Sequence, residues 1–150
     1  MAVWQNDLYL ISGVENLPDI TLDGWLPPVL DPNRVLRAQQ MLSGYFGPSW
    51  PVADDWLVFG PENGNRLDLI FPHASAATIV ARFDRRNDSV QFHGLVCRMA
   101  NELACLLFSP DLNAIIQPDH KVLRMALADI HWRNTWALPE SERMTHRSPP

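Results

Sequence analysis

The longest run of regularly spaced apolar residues lies between Asp88 and Pro110, DSVQFHGLVCRMANELACLLFSP. The apolar side chains recur at spacings of three, four, seven and eleven, which place them on one face of a helix. Asp88 or Ser89 can cap this helix by accepting a hydrogen bond from a backbone N–H of the first turn, and Pro110 prevents its continuation. Because its polar stripe is narrow, the helix should be largely buried and packed by the other elements. The apolar face consists of Phe92, Leu95, Val96, Met99, Leu103, Leu106 and Leu107.

Alternating apolar and polar residues predict strands before this helix. Asp7–Ser12 is the first predicted strand, and Trp56–Gly60 with Arg66–Phe71 forms a predicted hairpin. Asn63–Gly64 is the turn signal of this hairpin, although the five intervening residues imply a longer loop than a tight two-residue turn. The alternation in the return strand predicts one buried face and one mostly wet face. Ala77–Asp84 is predicted as the next strand.

Two further helices and a last strand complete the pattern. Asp31 followed by Pro32 is a favoured helix start, and this helix should end around residues 44–48. Leu112–Gln117 predicts a short strand, after which Asp119 caps a final helix through about His131. The order is β–α–β–β–β–α–β–α. Its three consecutive strands favour an α+β fold, a single-layer, mostly antiparallel or mixed sheet packed by about three helices.

The length and composition predict one domain. The chain has 150 residues and is 47% hydrophobic, so it can bury one sizeable core. We predict a single α+β domain over residues 1–138 and a flexible tail over residues 139–150, which are polar and flanked by proline. Residues 15–31 contain three prolines and a glycine, so they should form an ordered connection without a regular helix. That connection is either a functional surface or a lid over the core.

The charge is unevenly distributed. The net charge is −5, with nine acids against three arginines in residues 1–75 and eight acids against nine bases in the remainder. An acidic half argues against a nucleic-acid partner and leaves room for a basic protein partner. The N-terminus lacks the basic segment of a signal peptide, and no stretch approaches the length of an apolar membrane span. We therefore expect a cytoplasmic protein without membrane contact.

The sequence offers few candidates for chemistry. His93 and Cys97 are four residues apart, which suits two zinc ligands, but the absence of a second ligand pair favours a core histidine. Cys97 and Cys105 are predicted to lie about 12 Å apart along one helix, too far for a disulfide, and to be buried reduced thiols. The chain has no serine-hydrolase elbow and no glycine-rich phosphate loop. We predict no catalytic residue, metal or cofactor.

Carboxylates beside tryptophans are the remaining candidates. Asp54 with Asp55, or Asp68, could serve as acid and base of a glycosidase, but no companion group is present to perturb a pKa. As a surface, the acidic groups would attract a basic partner and the tryptophans would anchor it. The alternative is that the tryptophans simply cover the core. The predicted partner-binding residues are Asp19, Asp23, Trp25, Asp54, Asp55, Trp56 and Glu62.

Residues 77–131 carry a resemblance. The strand ATIVARFD, the helix FHGLVCRMANELACLLFSP, the strand LNAIIQP and the helix HKVLRMALADI resemble the small cytosolic immunity proteins that bacteria encode beside secreted antibacterial toxins, including type VI effectors. The resemblance implies a stoichiometric inhibitor of a cognate toxin, without chemistry of its own, and it carries over no site residue. An effector chaperone or secretion adaptor is the alternative, followed by a small enzyme with an unrecognised site. The oligomeric state, including a homodimer, stays open.

Overall fold

The computed structural model describes residues 5–13 and 26–137. Within these ranges the chain forms three helices and seven strands. Their bounds, in chain order, are β1 Gln5–Ile11, α1 Pro32–Phe46, β2 Trp50–Ala53, β3 Trp56–Phe59, β4 Arg66–His73, β5 Ala76–Asp84, α2 Val90–Glu102, β6 Leu106–Ser109, β7 Ala114–Ile116 and α3 His120–Ala137.

The seven strands form one sheet in the order β2-β3-β4-β5-β1-β6-β7, and every neighbouring pair is antiparallel. The predicted α+β class is therefore confirmed. β1 lies between β5 and β6, so strands that are distant in the sequence meet at the middle of the sheet. β2 and β7 are the two edge strands.

The two faces of the sheet differ in chemistry. Leu67 and Leu69 of β4 belong to one apolar cluster, whereas Asp68 between them faces the other side of the sheet. Side chains from all three described helices join that cluster, so these helices pack on the same face. The largest fully buried members of the cluster include Leu8, Leu10, Leu42, Leu67, Leu69, Ile79, Phe92, Leu95 and Met99.

The helix starts follow the predicted capping signals. The Asp31 carboxylate accepts a hydrogen bond from the backbone N–H of Arg34 at 3.1 Å, and Pro32 occupies the first turn of α1. At α2 the cap is Ser89, whose hydroxyl accepts from the backbone N–H of Phe92 at 3.1 Å. Asp119 caps α3 by accepting from two backbone N–H groups of the first turn, at 3.0 and 3.1 Å.

The predicted length of the central helix is wrong. α2 ends at Glu102, and Leu106 and Leu107, predicted on its apolar face, belong to β6. The chain reverses at Ala104, which has a φ of 54°, and the N–H of Cys105 donates to the carbonyl of Ala100 at 2.8 Å. A second bond joins the N–H of Ala104 to the carbonyl of Asn101, so the helix ends in a Schellman motif. Cys105 therefore lies beyond the helix that carries Cys97.

The predicted element order lacks two of the observed strands, β2 and β6. β2 contains Pro51, and three of its four residues are exposed, so it has neither the alternation nor the length that marks a strand. The hairpin loop has its left-handed residue at Gly60, with a φ of 113°, rather than at the predicted Asn63–Gly64. A Cβ at Gly60 would lie 2.9 Å from the carbonyl oxygen of Asn65, so this position requires glycine.

The remaining boundaries differ in smaller ways. α3 extends to Ala137, beyond the predicted end at His131, and β7 is shorter than the predicted strand. Core residues of the three described helices and of every strand except β2 form one cluster. The predicted tail at 139–150 and most of the predicted connection at 15–31 lie outside the described residues.

Candidate functional site

Of the predicted partner-binding residues, Asp19, Asp23 and Trp25 lie outside the described residues. Asp54 and Asp55 occupy the turn between β2 and β3, and both are exposed. Among the described residues, neither side-chain carboxylate has a hydrogen-bond or ion-pair partner. The backbone carbonyl of Asp55 accepts from the N–H of Phe71 at 2.8 Å, which ties the turn to β4. The turn is therefore a fixed site with two unpaired negative charges.

Glu62 lies at the other end of β3 from this turn. It is exposed in the loop between β3 and β4, and its backbone carbonyl accepts a hydrogen bond from Arg66 at 2.7 Å. The four residues of β3 span about 13 Å. The structure therefore does not bring Glu62 together with Asp54 and Asp55 into one compact patch.

Trp56 is half-buried and bonded to a charged group. Its indole N–H donates to the Asp68 carboxylate at 2.9 Å, and the guanidinium of Arg82 lies 6.0 Å from the ring centroid. Trp50 has a similar position beside Arg66, at 6.0 Å, and donates to the carbonyl of Gly60 at 2.7 Å. Both tryptophans thus flank charged groups on the face of the sheet opposite the described helices.

These charged groups form a buried network across three neighbouring strands. Arg82 of β5 contacts Asp68 of β4 at 2.9 Å and Asp7 of β1 at 3.3 Å. Arg66 completes the network, with its Nε 3.0 Å from Asp68 Oδ1. Burial raises the pKa of Asp7, an effect that the positive charge of Arg82 opposes. Two arginines thus balance two carboxylates, and Asp68, a candidate catalytic carboxylate by sequence, is fully buried within these ion pairs.

A cleft of about 310 Å³ lies on the helix side of the sheet, between the start of β1, the end of β5, the start of α2 and α3. Its lining combines two arginines and two histidines, contributed by α2, α3 and the β5–α2 connection, with the amide of Asn6. It is lined by Asn6, Phe83, Asp84, Arg85, Asp88, His93, Arg124, Leu127, Ala128 and His131.

His93 is buried in the wall of this cleft. Its Nε2 lies 3.1 Å from the exposed Asp88 carboxylate. Burial lowers the pKa of His93, the Asp88 charge opposes the shift, and His120 and Arg124 add to it. At neutral pH the ring is therefore neutral and donates its Nε2–H to Asp88, which leaves Nδ1 as an acceptor. That Nδ1 has no hydrogen-bond partner among the described groups.

The two cysteines are free and buried, as predicted. Desolvation raises the pKa of Cys97 to about 11 and that of Cys105 to about 11, so both thiols are protonated at neutral pH. The thiol of Cys105 donates to the carbonyl of Leu103 at 3.6 Å. Their environment gives neither cysteine a thiolate for nucleophilic attack.

Within residues 5–13 and 26–137, no group of three or more His, Cys, Asp or Glu side chains is arranged to hold a metal ion. Over the same ranges, no helix combines the length and apolar character needed to cross a membrane.

No family model, curated protein or solved structure matches this chain. Any proposal about its function therefore rests on the residues of the chain itself. Sequence reasoning identified the acidic turn from two adjacent residues. It considered His93 only as a metal ligand or core residue and missed Asn6, Arg85, Arg124 and His131, which come from distant positions. No short motif joins these four, so only the fold could reveal the cleft.

Proposed function

We propose that this chain is a non-catalytic, protein-binding immunity protein that neutralises a basic toxin by stoichiometric binding. The single observation that carries the proposal is the pair of exposed carboxylates, Asp54 and Asp55, at the tip of edge strand β2. Charges without partners attract an oppositely charged protein at long range and without first breaking an existing ion pair.

The adjoining strand offers the contact surface that such a partner needs. Val52 of β2 is 46% exposed beside the acidic turn. Because β2 is an edge strand, one side of its backbone has no neighbouring strand in the described sheet. A basic partner attracted by the turn can therefore bury an apolar side chain and bond to the backbone at the same place.

The test uses a basic, toxin-like protein encoded by a gene adjacent to this one as the candidate partner. Cells that produce the toxin in their cytoplasm should survive when they also produce this chain, and the two purified proteins should elute as a complex of fixed stoichiometry. The double variant Asp54→Lys with Asp55→Lys should slow association at least about tenfold at low salt and change dissociation less. The salt dependence of association should also become flatter.

The matched control is the double variant Glu102→Lys with Asp129→Lys. It changes the net charge by the same amount, on residues that form exposed ion pairs with Arg37 and Arg133. It should leave association close to that of the native chain. Equal slowing by the two double variants would mean that only net charge matters, and unchanged kinetics in the Asp54 and Asp55 variant would remove this turn from the interface.

A specific feature of α3 favours a second candidate function, an effector chaperone or secretion adaptor. Val122, Met125 and Trp132 are 40, 65 and 59% exposed, and their spacing places them along one side of the helix. Such an exposed apolar stripe suits an apolar client segment. The Met125→Lys variant should no longer bind such a client. A toxin that binds at the β2–β3 turn should bind this variant as tightly as the native chain.

A further inference from the structure

The cleft between β1, β5, α2 and α3 concentrates buried polar atoms that have no partner. Seven such side-chain atoms occur in the described part of the chain, and four of them belong to Asn6, Arg85 and His93 of this cleft. The other three belong to the buried ion network, where Arg66 Nε and Asp68 Oδ1 face each other at 3.0 Å. Because an unpaired buried polar atom destabilises the fold, such a concentration at one cleft indicates a site built for a ligand.

Asn6 is the clearest member of this group. It is 1% exposed, and within residues 5–13 and 26–137 neither its amide nitrogen nor its amide oxygen has a hydrogen-bond partner. Its neighbours on the same face of β1 are leucines of the core, so a leucine would suit this position better if packing were its only role.

The charges of the cleft leave a positive excess. Both oxygens of Asp84 are held by Arg86, at 3.0 and 3.2 Å, whereas Asp88 bonds to the neutral ring of His93, which does not offset its charge. Arg85 contacts the Nδ1 of His131, and no acidic side chain among the described residues pairs with it. Arg124, which is exposed on α3, likewise has no ion-pair partner within those residues. The two guanidinium groups of Arg85 and Arg124 therefore outweigh the one carboxylate charge that no cation offsets, that of Asp88, and the cleft is net positive.

We propose that this cleft binds a small organic oxyanion, a carboxylate or a phosphate monoester, that also carries a hydroxyl or amino group. Guanidinium groups bind such oxygens with paired, charge-assisted hydrogen bonds, a role that Arg85 and Arg124 can fill. The hydroxyl or amino group donates to His93 Nδ1, or bonds to the Asn6 amide, directly or through a bridging water. A cleft of about 310 Å³ is at the lower end of the size of small-molecule sites, which fits a small metabolite.

The test titrates the full chain with glycolate, glycerol 3-phosphate and inorganic phosphate up to about 10 mM at constant ionic strength, followed by NMR. We expect saturable shifts that are confined to resonances of Asn6, Arg85, His93 and Arg124. Saturation by glycolate identifies a carboxylate ligand. Saturation by glycerol 3-phosphate but not by glycolate identifies a phosphate monoester. Inorganic phosphate has no hydroxyl-bearing carbon group, so it measures how much of the binding comes from the phosphate alone. No saturable response to any of the three would overturn the proposal.

Three variants distinguish binding at this cleft from a general effect of the net charge of the protein. Arg85→Gln and Arg124→Gln should each weaken binding at least about tenfold, because each removes a charge-assisted contact. Arg98→Gln, a control on the exposed face of α2, should bind as the native chain does. Equal weakening in all three variants would reduce the effect to net charge and overturn the site.

The variant Asn6→Leu distinguishes a ligand-binding role of Asn6 from a purely structural one. The variant replaces unpaired polar atoms by an apolar group of similar shape, so its melting temperature should be equal to or above that of the native chain. Its affinity for the saturating probe should nevertheless fall at least about tenfold. A lower melting temperature with intact binding would make Asn6 a structural residue and contradict its proposed role. None of these measurements requires the protein partner, so they stand or fall independently of the immunity function.

Discussion

Arg34 donates a hydrogen bond of 2.7 Å from its Nε to the backbone carbonyl of Leu103, which lies 69 residues further along the chain. Its Nη1 also contacts the Asp31 carboxylate that caps α1, at 2.8 Å. The side-chain bond from Arg34, together with the bond from the Arg34 backbone N–H, holds the pKa of Asp31 below its usual value. One side chain thus joins the start of α1 to the end of α2, where a helix has carbonyls without partners in the helix.

Replacement of Arg34 by methionine should lower the free energy of unfolding by about 1–2 kcal/mol, because the Leu103 carbonyl and the cap of α1 both lose a charged donor. Arg37→Met is the control. Its partner is Glu102, in an ion pair whose side chains are 57 and 48% exposed, so it should cost less than about 0.5 kcal/mol. Urea unfolding measures both values, and equal losses would show that the Leu103 contact contributes nothing beyond a surface charge.

Ala104→Gly should stabilise the chain by about 0.5–1 kcal/mol. Ala104 holds a φ of 54°, a conformation that costs an L-residue energy and that glycine adopts freely. The gain is smaller than the full strain because glycine also increases the entropy of the unfolded chain. Ala128→Gly in the exposed interior of α3 should instead destabilise by about 1 kcal/mol. Thermal unfolding should show a higher melting temperature for Ala104→Gly and a lower one for Ala128→Gly than for the native chain.

Arg82→Met should destabilise the fold by about 3 kcal/mol, because Asp68 and Asp7 would lose a cation that both contact in a buried site. Asp7→Asn should cost less in the Arg82→Met background than in the native chain, since its ionic partner is already gone. A double-mutant cycle should give a coupling of about 1–3 kcal/mol. If the losses in the free energy of unfolding were additive, the contact between Arg82 and Asp7 would contribute nothing to stability.

Cys97 and Cys105 should react slowly with thiol reagents. With each pKa raised to about 11, only about one thiol in a thousand is a thiolate at pH 8. The folded state keeps these protons while the unfolded state loses them above pH 9.0, so stability should fall between about pH 9 and pH 11. Below that window the contribution does not change with pH. The variant Cys97→Ala with Cys105→Ala should show a shallower alkaline fall, and rapid labelling of the folded native chain would contradict the burial of the thiols.

The elements that sequence patterns predicted well are those with local signals. Asp31 and Asp119 mark helix starts through bonds to residues two or three positions away, and Pro32 does so through its fixed backbone angle, so the local sequence specifies these starts. The end of α2 was missed because its left-handed position holds Ala104 instead of the usual glycine. β2 was missed because an exposed strand with Pro51 is stabilised only by pairing with β3.

The same distinction applies to the functional residues. The exposure of Asp54 and Asp55 follows from a turn of adjacent polar residues, which a sequence pattern can identify. The distance between that turn and Glu62 depends on the length of β3, and the cleft depends on the packing of α3 beside β1. Asn6 and His131 are far apart in the chain, and neither residue alone carries a signal that it lines a site.

The buried ion network also specifies the register of the central strands. Asp68 lies between Leu67 and Leu69, and it faces Arg82 while the leucines face the core. A shift of β4 by one residue would carry the carboxylate into the apolar cluster and turn both leucines away from it. Such a misaligned sheet would leave a charge without a counter-ion in a dry environment, at a cost that few misfolded states can offset. The network therefore disfavours every pairing of β4 in which Asp68 does not face Arg82.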